Sequence, residues 1–292
     1  MLDRSAILGF ILGFTLIVSA IVIQGSLTLF LSLTSFLIVT GGVIAATMIN
    51  YSLENIKDCY SAMARLMRNS SVDLRTDMEI LSMFSRRARA GGLLVLDADI
   101  EHIENEFMEN SLRLAVDGFK KESLDSIMVD EIKSMESQSE TSVDVLNSMA
   151  TYAPAFGMIG TVIGMILMLQ NIDDPQSLGA GLSIALITTL YGTILANMIF
   201  APLAGKMEYF SKLDVNRKQM IRVGILSMVE GENPRIMEKK MLTFLDPSSR
   251  AEYTRYHEDL RISKERDEKF YKMWIEQQSK EWQDLRKILE AG

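Results

Sequence analysis

The sequence predicts an all-α integral membrane protein with four transmembrane helices and a large helical cytoplasmic domain. Residues 145–205 carry only two charges, Asp173 and Asp174, and residues 5–53 carry none. The rest of the chain is rich in charge and shows the apolar periodicity of amphipathic helices. A membrane-spanning helix needs roughly 20 consecutive apolar residues, so each uncharged stretch is long enough for two spans.

The N-terminal stretch divides at the polar turn 24–26, which separates a first span (residues 6–23) from a second (residues 27–49). A cleaved signal peptide is the rival interpretation, because Arg4 precedes an apolar run and residues 18–20 resemble a cleavage site. A second full span follows at once, with no soluble passenger to export. This favours a membrane hairpin.

The second stretch divides at Asp173, Asp174 and Pro175 into a third span (residues 145–172) and a fourth (residues 175–205). A buried helix of a soluble protein is shorter and keeps a polar face. Two uncharged runs joined by an acidic turn therefore indicate a second membrane hairpin.

The positions of Lys and Arg predict the orientation. Of the 30 Lys and Arg residues, one is Arg4, eleven lie in residues 50–144 and eighteen lie from Lys206 onward, so neither hairpin turn has any. By the positive-inside rule, both termini and the middle segment are cytoplasmic. The predicted segments are membrane helices 1 and 2 (1–50), a cytoplasmic helical domain (51–144), membrane helices 3 and 4 (145–205), and cytoplasmic helices with a charged tail (206–292).

The cytoplasmic segments are expected to be helical. Apolar residues recur at helical spacing in two sets, which are Ile56, Tyr60, Met63 and Met67, and Leu93, Leu96, Ile100, Ile103 and Phe107. Gly91 and Gly92 are expected to form a turn between helices. In the charged tail, Trp274 and Trp282 fall on nearly one helical face. This is consistent with a docked helix and equally with a solvated extension.

Several classes of protein are disfavoured by composition. The net charge of -8 comes from interleaved acids and bases, which argues against a nucleic-acid partner. Cys59 is the one cysteine, so there is no disulfide framework. His102 and His257 have no neighbouring Cys or His, so no metal site is expected. With no nucleophile motif or phosphate loop, the sequence predicts neither an enzyme nor a cofactor.

The membrane spans contain no Asp, Glu, Lys, Arg or His, and their ionisable side chains are the phenols of Tyr152 and Tyr191. An ion pump needs a carboxylate, an amine or a similar relay group in the membrane, so any carboxylate would have to come from another chain. Two spans have faces of mainly small residues, which are Gly157, Thr161, Gly164 and Met168, and Ala185, Thr189, Gly192 and Ala196. Close helix packing explains the glycines. The threonine hydroxyls are also suited to ligate a cation or bond a partner's carboxylate.

Four strings carry a resemblance to a known family. They are residues 153–164 (APAFGMIGTVIG), residues 173–175 (DDP), residues 188–197 (TTLYGTILAN) and the cytoplasmic residues 86–97 (RRARAGGLLVLD). In this order they resemble the A subunit of the bacterial flagellar stator, the MotA/PomA family. The resemblance covers about residues 1–245, so it implies no role for the tail.

The resemblance implies a motility machine in the bacterial inner (cytoplasmic) membrane. Such A subunits form a homopentamer around two copies of a single-span B subunit (MotB/PomB-like), which carries the membrane aspartate and is anchored to peptidoglycan. Ion flow turns the ring, and its cytoplasmic domain pushes a rotor switch-ring protein (FliG-like).

The resemblance also implies residue roles at the rotor contact. Arg89 matches the family's rotor-contacting arginine, and Asp97 matches an acidic position that is more usually glutamate. Arg86 and Arg87 either assist this contact or belong to a solvated face.

Roles in the membrane follow in the same way. Pro154 and Pro202 match two prolines that couple the channel to cytoplasmic movement, with a purely structural kink as the alternative. Relatives driven by sodium tend to have threonine at the position of Thr161, and Thr189 matches a second threonine near the ion path. Oxygen ligands suit a partly dehydrated Na⁺, so sodium is favoured over H⁺.

The role of the acidic turn and the class of the protein both stay open. Asp173 and Asp174 either concentrate cations at the outer mouth or form an ordinary polar turn. The chain also shares features with the ExbB/TolQ energisers of outer-membrane processes, although those have three spans and an outside N-terminus. A non-conducting membrane scaffold is the remaining alternative.

Overall fold

The computed structural model describes residues 4–68, 74–170, 175–259 and Met273. These residues form helices and turns, with no strand among them, which confirms the predicted all-α class. The α-helices are α1 (Arg4–Gln24), α2 (Leu33–Phe36), α3 (Gly42–Asn50), α4 (Leu53–Arg68), α5 (Leu74–Gly91), α6 (Asp97–Ile100), α7 (Glu106–Val116), α8 (Lys121–Gln170), α9 (Pro175–Ile194), α10 (Ala201–Val229), α11 (Pro234–Met241) and α12 (Pro247–Asp259). Single 3₁₀ turns cover Leu27–Phe30, Leu93–Leu96 and Leu242–Phe244.

Among the described residues, three helical stretches are long and apolar enough to cross a membrane. They are Leu27–Asn50, Lys121–Gln170 and Leu178–Val229, and Leu8–Ile23 within α1 is a shorter apolar helix. Each of the four predicted spans thus falls on an apolar helix, and the count of four membrane crossings stays a prediction. Helix α8 is 50 residues long and begins well before the predicted start of the third span.

Wide π-helical turns interrupt two of the apolar stretches. Leu37–Gly41 joins α2 to α3, and Leu195–Phe200 joins α9 to α10. Pro202 is the second residue after the second of these turns, and proline has no N–H to donate and its ring clashes with the carbonyl four residues earlier. The Ala201 N–H bonds the Ala196 oxygen, five residues back, as a π turn requires.

The chain divides into two compact units. The membrane unit is Met1–Ser71 with Ser134–Leu213, and it holds most of the apolar helices. The polar unit is Val72–Lys133 with Asp214–Gly292.

In the membrane unit, one small core lies where α4 packs beside α8 and α10. It consists of Cys59, Val143, Val145, Leu146, Ala204 and Met207. The Cys59 thiol donates to the Ser142 carbonyl at 3.4 Å, and burial raises the pKa of this thiol. The predicted apolar face of α4 is wrong at Tyr60, which is 69% exposed, and Cys59 is buried in its place. Ile56 and Met63 of that face are half-buried, and Met63 packs against this core. The Met67 side chain lies outside the described residues.

The polar unit has one larger core, built from α5, α7, α10, α11 and the first turns of α8. It includes Leu96, Ile100, Ile103 and Phe107, so the predicted burial of this set is confirmed. The core also holds an ion pair between Arg217 and the buried carboxylate of Asp77. Arg217 Nε and Nη2 each donate to one carboxylate oxygen, and the Nη2–Oδ1 distance is 2.9 Å.

The expected turn at Gly91 and Gly92 is confirmed, but the helix expected beyond it is broken. Helix α5 ends at Gly91, and Gly92 has φ +82°, a conformation that favours glycine. The following residues form a 3₁₀ turn and the short α6, and a new helix then begins at Glu106. The side chain of Asn105 caps it by accepting the Met108 N–H at 3.1 Å.

Candidate functional site

The two faces of small residues pack directly against each other, α8 against α9. A Cβ placed on Gly164 would lie 2.5 Å from the Gly181 carbonyl oxygen, and one on Gly192 would lie 2.5 Å from the Ala153 oxygen. A Cβ placed on Gly157 would lie 3.0 Å from the Thr188 carbonyl oxygen, which is almost as close. The obstructing atoms are backbone atoms, which cannot move aside. The packing role predicted for these glycines is therefore confirmed.

We expect Gly164→Val to separate α8 from α9 and to prevent assembly, because the added side chain collides with the Gly181 carbonyl. The measurement is the amount of protein in purified membranes and its elution in detergent. Gly179→Val is the matched control, since Gly179 on α9 has open space around its Cα. Normal assembly of the Gly164 variant would contradict this tight contact.

Thr161 and Thr189 meet at the rim of this α8–α9 contact. Their hydroxyl oxygens are 2.6 Å apart. Thr161 Oγ1 also lies 3.1 Å from the carbonyl oxygens of Gly157 and Ala185. Thr161 is half-buried and Thr189 is exposed in the single chain, so this cluster of four oxygens is accessible from one side.

The hydrogen bonds around Ala185 cannot all form at once. The hydroxyls of Thr161, Thr188 and Thr189 lie 3.1, 3.0 and 3.3 Å from its carbonyl oxygen. A carbonyl oxygen has two lone pairs, and each hydroxyl has one proton and can also accept. The protons can therefore be redistributed among these groups, which leaves acceptor oxygens for a cation or for a protonated partner.

The two predicted coupling prolines occupy different positions in their helices. Helix α8 runs without interruption through Pro154, where the Ala150 carbonyl loses its usual N–H donor. A Cβ placed on Gly192 would lie 3.2 Å from the Pro154 Cα, so the glycine lets the α9 backbone pack closely against α8 at the proline. Pro202 is exposed and is the second residue of α10, directly after the π turn.

The predicted rotor-facing residues separate into two kinds. Arg86 bonds Glu238 of α11 at 2.9 Å, and Arg87 bonds the buried Asp99 of α6 at 2.5 Å. These two guanidinium groups therefore stabilise the polar unit from within.

Arg89 and Asp97, by contrast, are exposed and have no ion-pair partner among the described residues. Asp99 has a weak sequence signal, since it falls two residues after Asp97. Glu238 has none, because it is 152 residues from its partner.

Other predicted positions lie outside the described residues. These are Asp173, Asp174, Trp274 and Trp282. Within the part of the chain that was searched, no group of His, Cys, Asp and Glu is arranged to hold a metal ion.

Comparison with known proteins gives consistent matches. The model of the MotA/TolQ/ExbB proton channel family matches residues 99–220. The chain is 37% identical to uncharacterized protein YtxD of Bacillus subtilis (strain 168), covering 88% of this chain and 94% of that protein. It is 33% identical to motility protein A of Treponema pallidum (strain Nichols), covering 86% of this chain and 97% of that protein. The solved flagellar MotAB stator complex from Bacillus subtilis matches with a TM-score of 0.79 at 30% identity, covering 86% of this chain and 99% of that chain.

Proposed function

Because this chain belongs to the MotA/PomA family of flagellar stator A subunits, we propose that it forms an ion channel with a single-span B subunit and converts ion flow into torque. Proteins of this family are motor stator subunits and not enzymes. The observation that supports the proposal best is the match to a chain of a MotAB stator complex over 99% of that chain's length. The curated relatives named motility protein A favour this function over the ExbB/TolQ alternative.

The channel needs an acidic group from its partner. The apolar stretches have no Asp, Glu, Lys or Arg outside the Asp173–Asp174 turn, and a carboxylate in the membrane is the usual ion relay. We place the B subunit's aspartate beside the oxygen cluster of Thr161 and Thr189. In that position the hydroxyls donate to the carboxylate or complete the shell of the ion.

Sodium is the ion that this cluster suits best. The Thr189 hydroxyl oxygen and the carbonyl oxygens of Gly157 and Ala185 all lie within 3.1 Å of the Thr161 hydroxyl oxygen, and hard cations take oxygen ligands when they lose water. The matching family model is named for a proton channel, so H⁺ is the competing carrier.

We expect Thr161→Ala to raise the sodium concentration for half-maximal swimming by about tenfold, since one ligand worth about 1.4 kcal/mol is removed. Swimming speed is measured against sodium at fixed pH, with a protonophore present, in cells that lack their own A subunit. Thr151→Ala is the control, because the Thr151 hydroxyl bonds the Asn147 carbonyl of its own helix. An unchanged sodium curve would remove Thr161 from the ion path.

The rotor contact is assigned to Arg89 and Asp97. Both are exposed and carry opposite charges, which suits a FliG-like rotor protein that presents charges of both signs. Charge pairs at such a rim mainly steer the encounter and fix its register. Arg86 and Arg87 are assigned to holding this region together, through Glu238 and Asp99.

The remaining features of the assembly are proposed from the family. The chain forms a pentamer around two B subunits in the bacterial inner membrane, with both termini in the cytoplasm. Asp173 and Asp174 face the outside, where their negative field attracts cations.

A further inference from the structure

The second apolar stretch is broken near its beginning. Between the 3₁₀ turn Leu27–Phe30 and the first residue of α2, Leu31 and Ser32 are extended, with φ −100°, ψ 104° and φ −128°, ψ 111°. Extended residues cannot make the hydrogen bonds of a helix. In a bilayer each unpaired backbone group costs several kcal/mol, so a break of this kind needs partners from another segment.

Tyr191 supplies those partners on both sides of the break. Its hydroxyl accepts the Ser32 N–H at 3.2 Å and donates to the Phe30 carbonyl at 2.5 Å. One side chain of α9 thus pairs a donor and an acceptor that lie about 160 residues away in sequence. It is one of two tyrosines in the apolar spans, with Tyr152, and the ion path proposed above does not use it.

The same turn of α9 makes the contacts with α8. Thr189 hydrogen-bonds Thr161, Thr188 packs against Gly160, and Gly192 lies on the Ala153 carbonyl. Tyr191 projects from this turn toward the break before α2. The position of Thr189 is therefore tied on one side to α8 and on the other to the second apolar stretch.

We propose that Tyr191 is a positioning residue for the ion path, which acts by fixing the α9 turn that carries Thr189 to the break at Leu31 and Ser32. This rests on the function proposed for Thr189. Without the hydroxyl, the α9 turn that carries Thr189 is no longer held to Leu31 and Ser32. The hydroxyl oxygens of Thr161 and Thr189 then lose their fixed spacing. The ion then binds more weakly even though every ligand is still present.

The test is Tyr191→Phe, which keeps the ring and removes both hydrogen bonds. In the purified complex, hydrogen exchange of a peptide covering residues 27–36 should become at least about fivefold faster, as the loss of roughly 1 kcal/mol implies. In swimming cells, the concentration of driving ion for half-maximal speed should rise, measured separately for Na⁺ and for H⁺. The number of stators per motor should stay the same. Tyr209→Phe is the control, since that ring is 60% exposed on α10.

A purely structural role would give a different result. It would lower the number of assembled stators and the maximal speed, and the half-saturating ion concentration would not move. That result, or unchanged exchange over residues 27–36, overturns the proposal. If Tyr191→Phe is absent from the membrane, Tyr191→Gln, which can donate and accept, is compared with Tyr191→Leu. Recovery by glutamine alone supports the paired hydrogen bonds, and equal behaviour of the two overturns them.

The unaltered protein separates this inference from the function on which it rests. If the native chain fails to restore motility to cells that lack their A subunit, with its B subunit supplied, the stator function is wrong. If it restores motility and Tyr191→Phe behaves like it, only the role of Tyr191 is wrong.

Discussion

Arg89→Glu should stop swimming while the protein remains in the membrane at normal abundance. The Arg89 side chain is exposed and has no ion-pair partner among the described residues, so the substitution should change folding stability by no more than about 0.5 kcal/mol. At the rotor, by contrast, reversal turns an attractive contact into a like-charge contact, which costs several kcal/mol. Swimming in soft agar and abundance in membranes are the two measurements.

Arg87→Glu provides the contrast. Arg87 is half-buried and pairs with the buried Asp99, and removal of its charge leaves a buried carboxylate without compensation, which costs about 1–3 kcal/mol or more. Its defect should therefore appear as reduced abundance. A charge reversal in the rotor that restores swimming to Arg89→Glu would support direct contact. Normal swimming of Arg89→Glu would exclude Arg89 from the contact.

Pro154→Leu should leave the stator assembled and prevent it from turning. A proline inside a helix costs about 3 kcal/mol relative to a good helix former, and leucine restores an N–H donor to the Ala150 carbonyl. Helix α8 then resists bending at the point where Gly192 brings α9 against it. We expect rotation of tethered cells to stop while the number of stators per motor is unchanged.

The matched control is Pro234→Leu. Pro234 is the first residue of α11, where the missing N–H would have no helical partner in any case, so the gain in helix stability is small. This variant should rotate normally. Rotation of Pro154→Leu at the speed of the native protein would assign the proline a structural role only.

The sequence predicts the fold class well because charge is costly in a bilayer. The uncharged stretches 5–53 and 145–205 leave few alternatives, and each predicted span falls on an apolar helix. The small faces of α8 and α9 were also predictable, since glycine at helical spacing indicates close backbone contact. The threonine pair follows from the same faces once the two helices are placed together.

Other features depend on contacts that periodicity does not specify. On α4 the sequence places Tyr60 in the core where the structure has Cys59, because both residues suit a core by composition and only packing decides between them. The break before α7 comes from a side-chain cap at Asn105. The sequence leaves Arg86 open to two interpretations, because its partner Glu238 is far away in the chain. The hydrogen bonds of Tyr191 cannot be predicted from neighbouring residues, because both partners lie about 160 residues away in the chain.

One consequence of the Cys59 contact concerns spectroscopy. This is the only thiol in the chain, it is 5% exposed, its S–H is bonded to the Ser142 carbonyl, and its pKa is raised. Maleimide dyes and spin labels react with accessible thiolates, so the native protein has almost no background reaction. Ala90→Cys, at an exposed position beside Arg89, can then carry a fluorophore that reports rotor engagement, with no need to mutate Cys59 first.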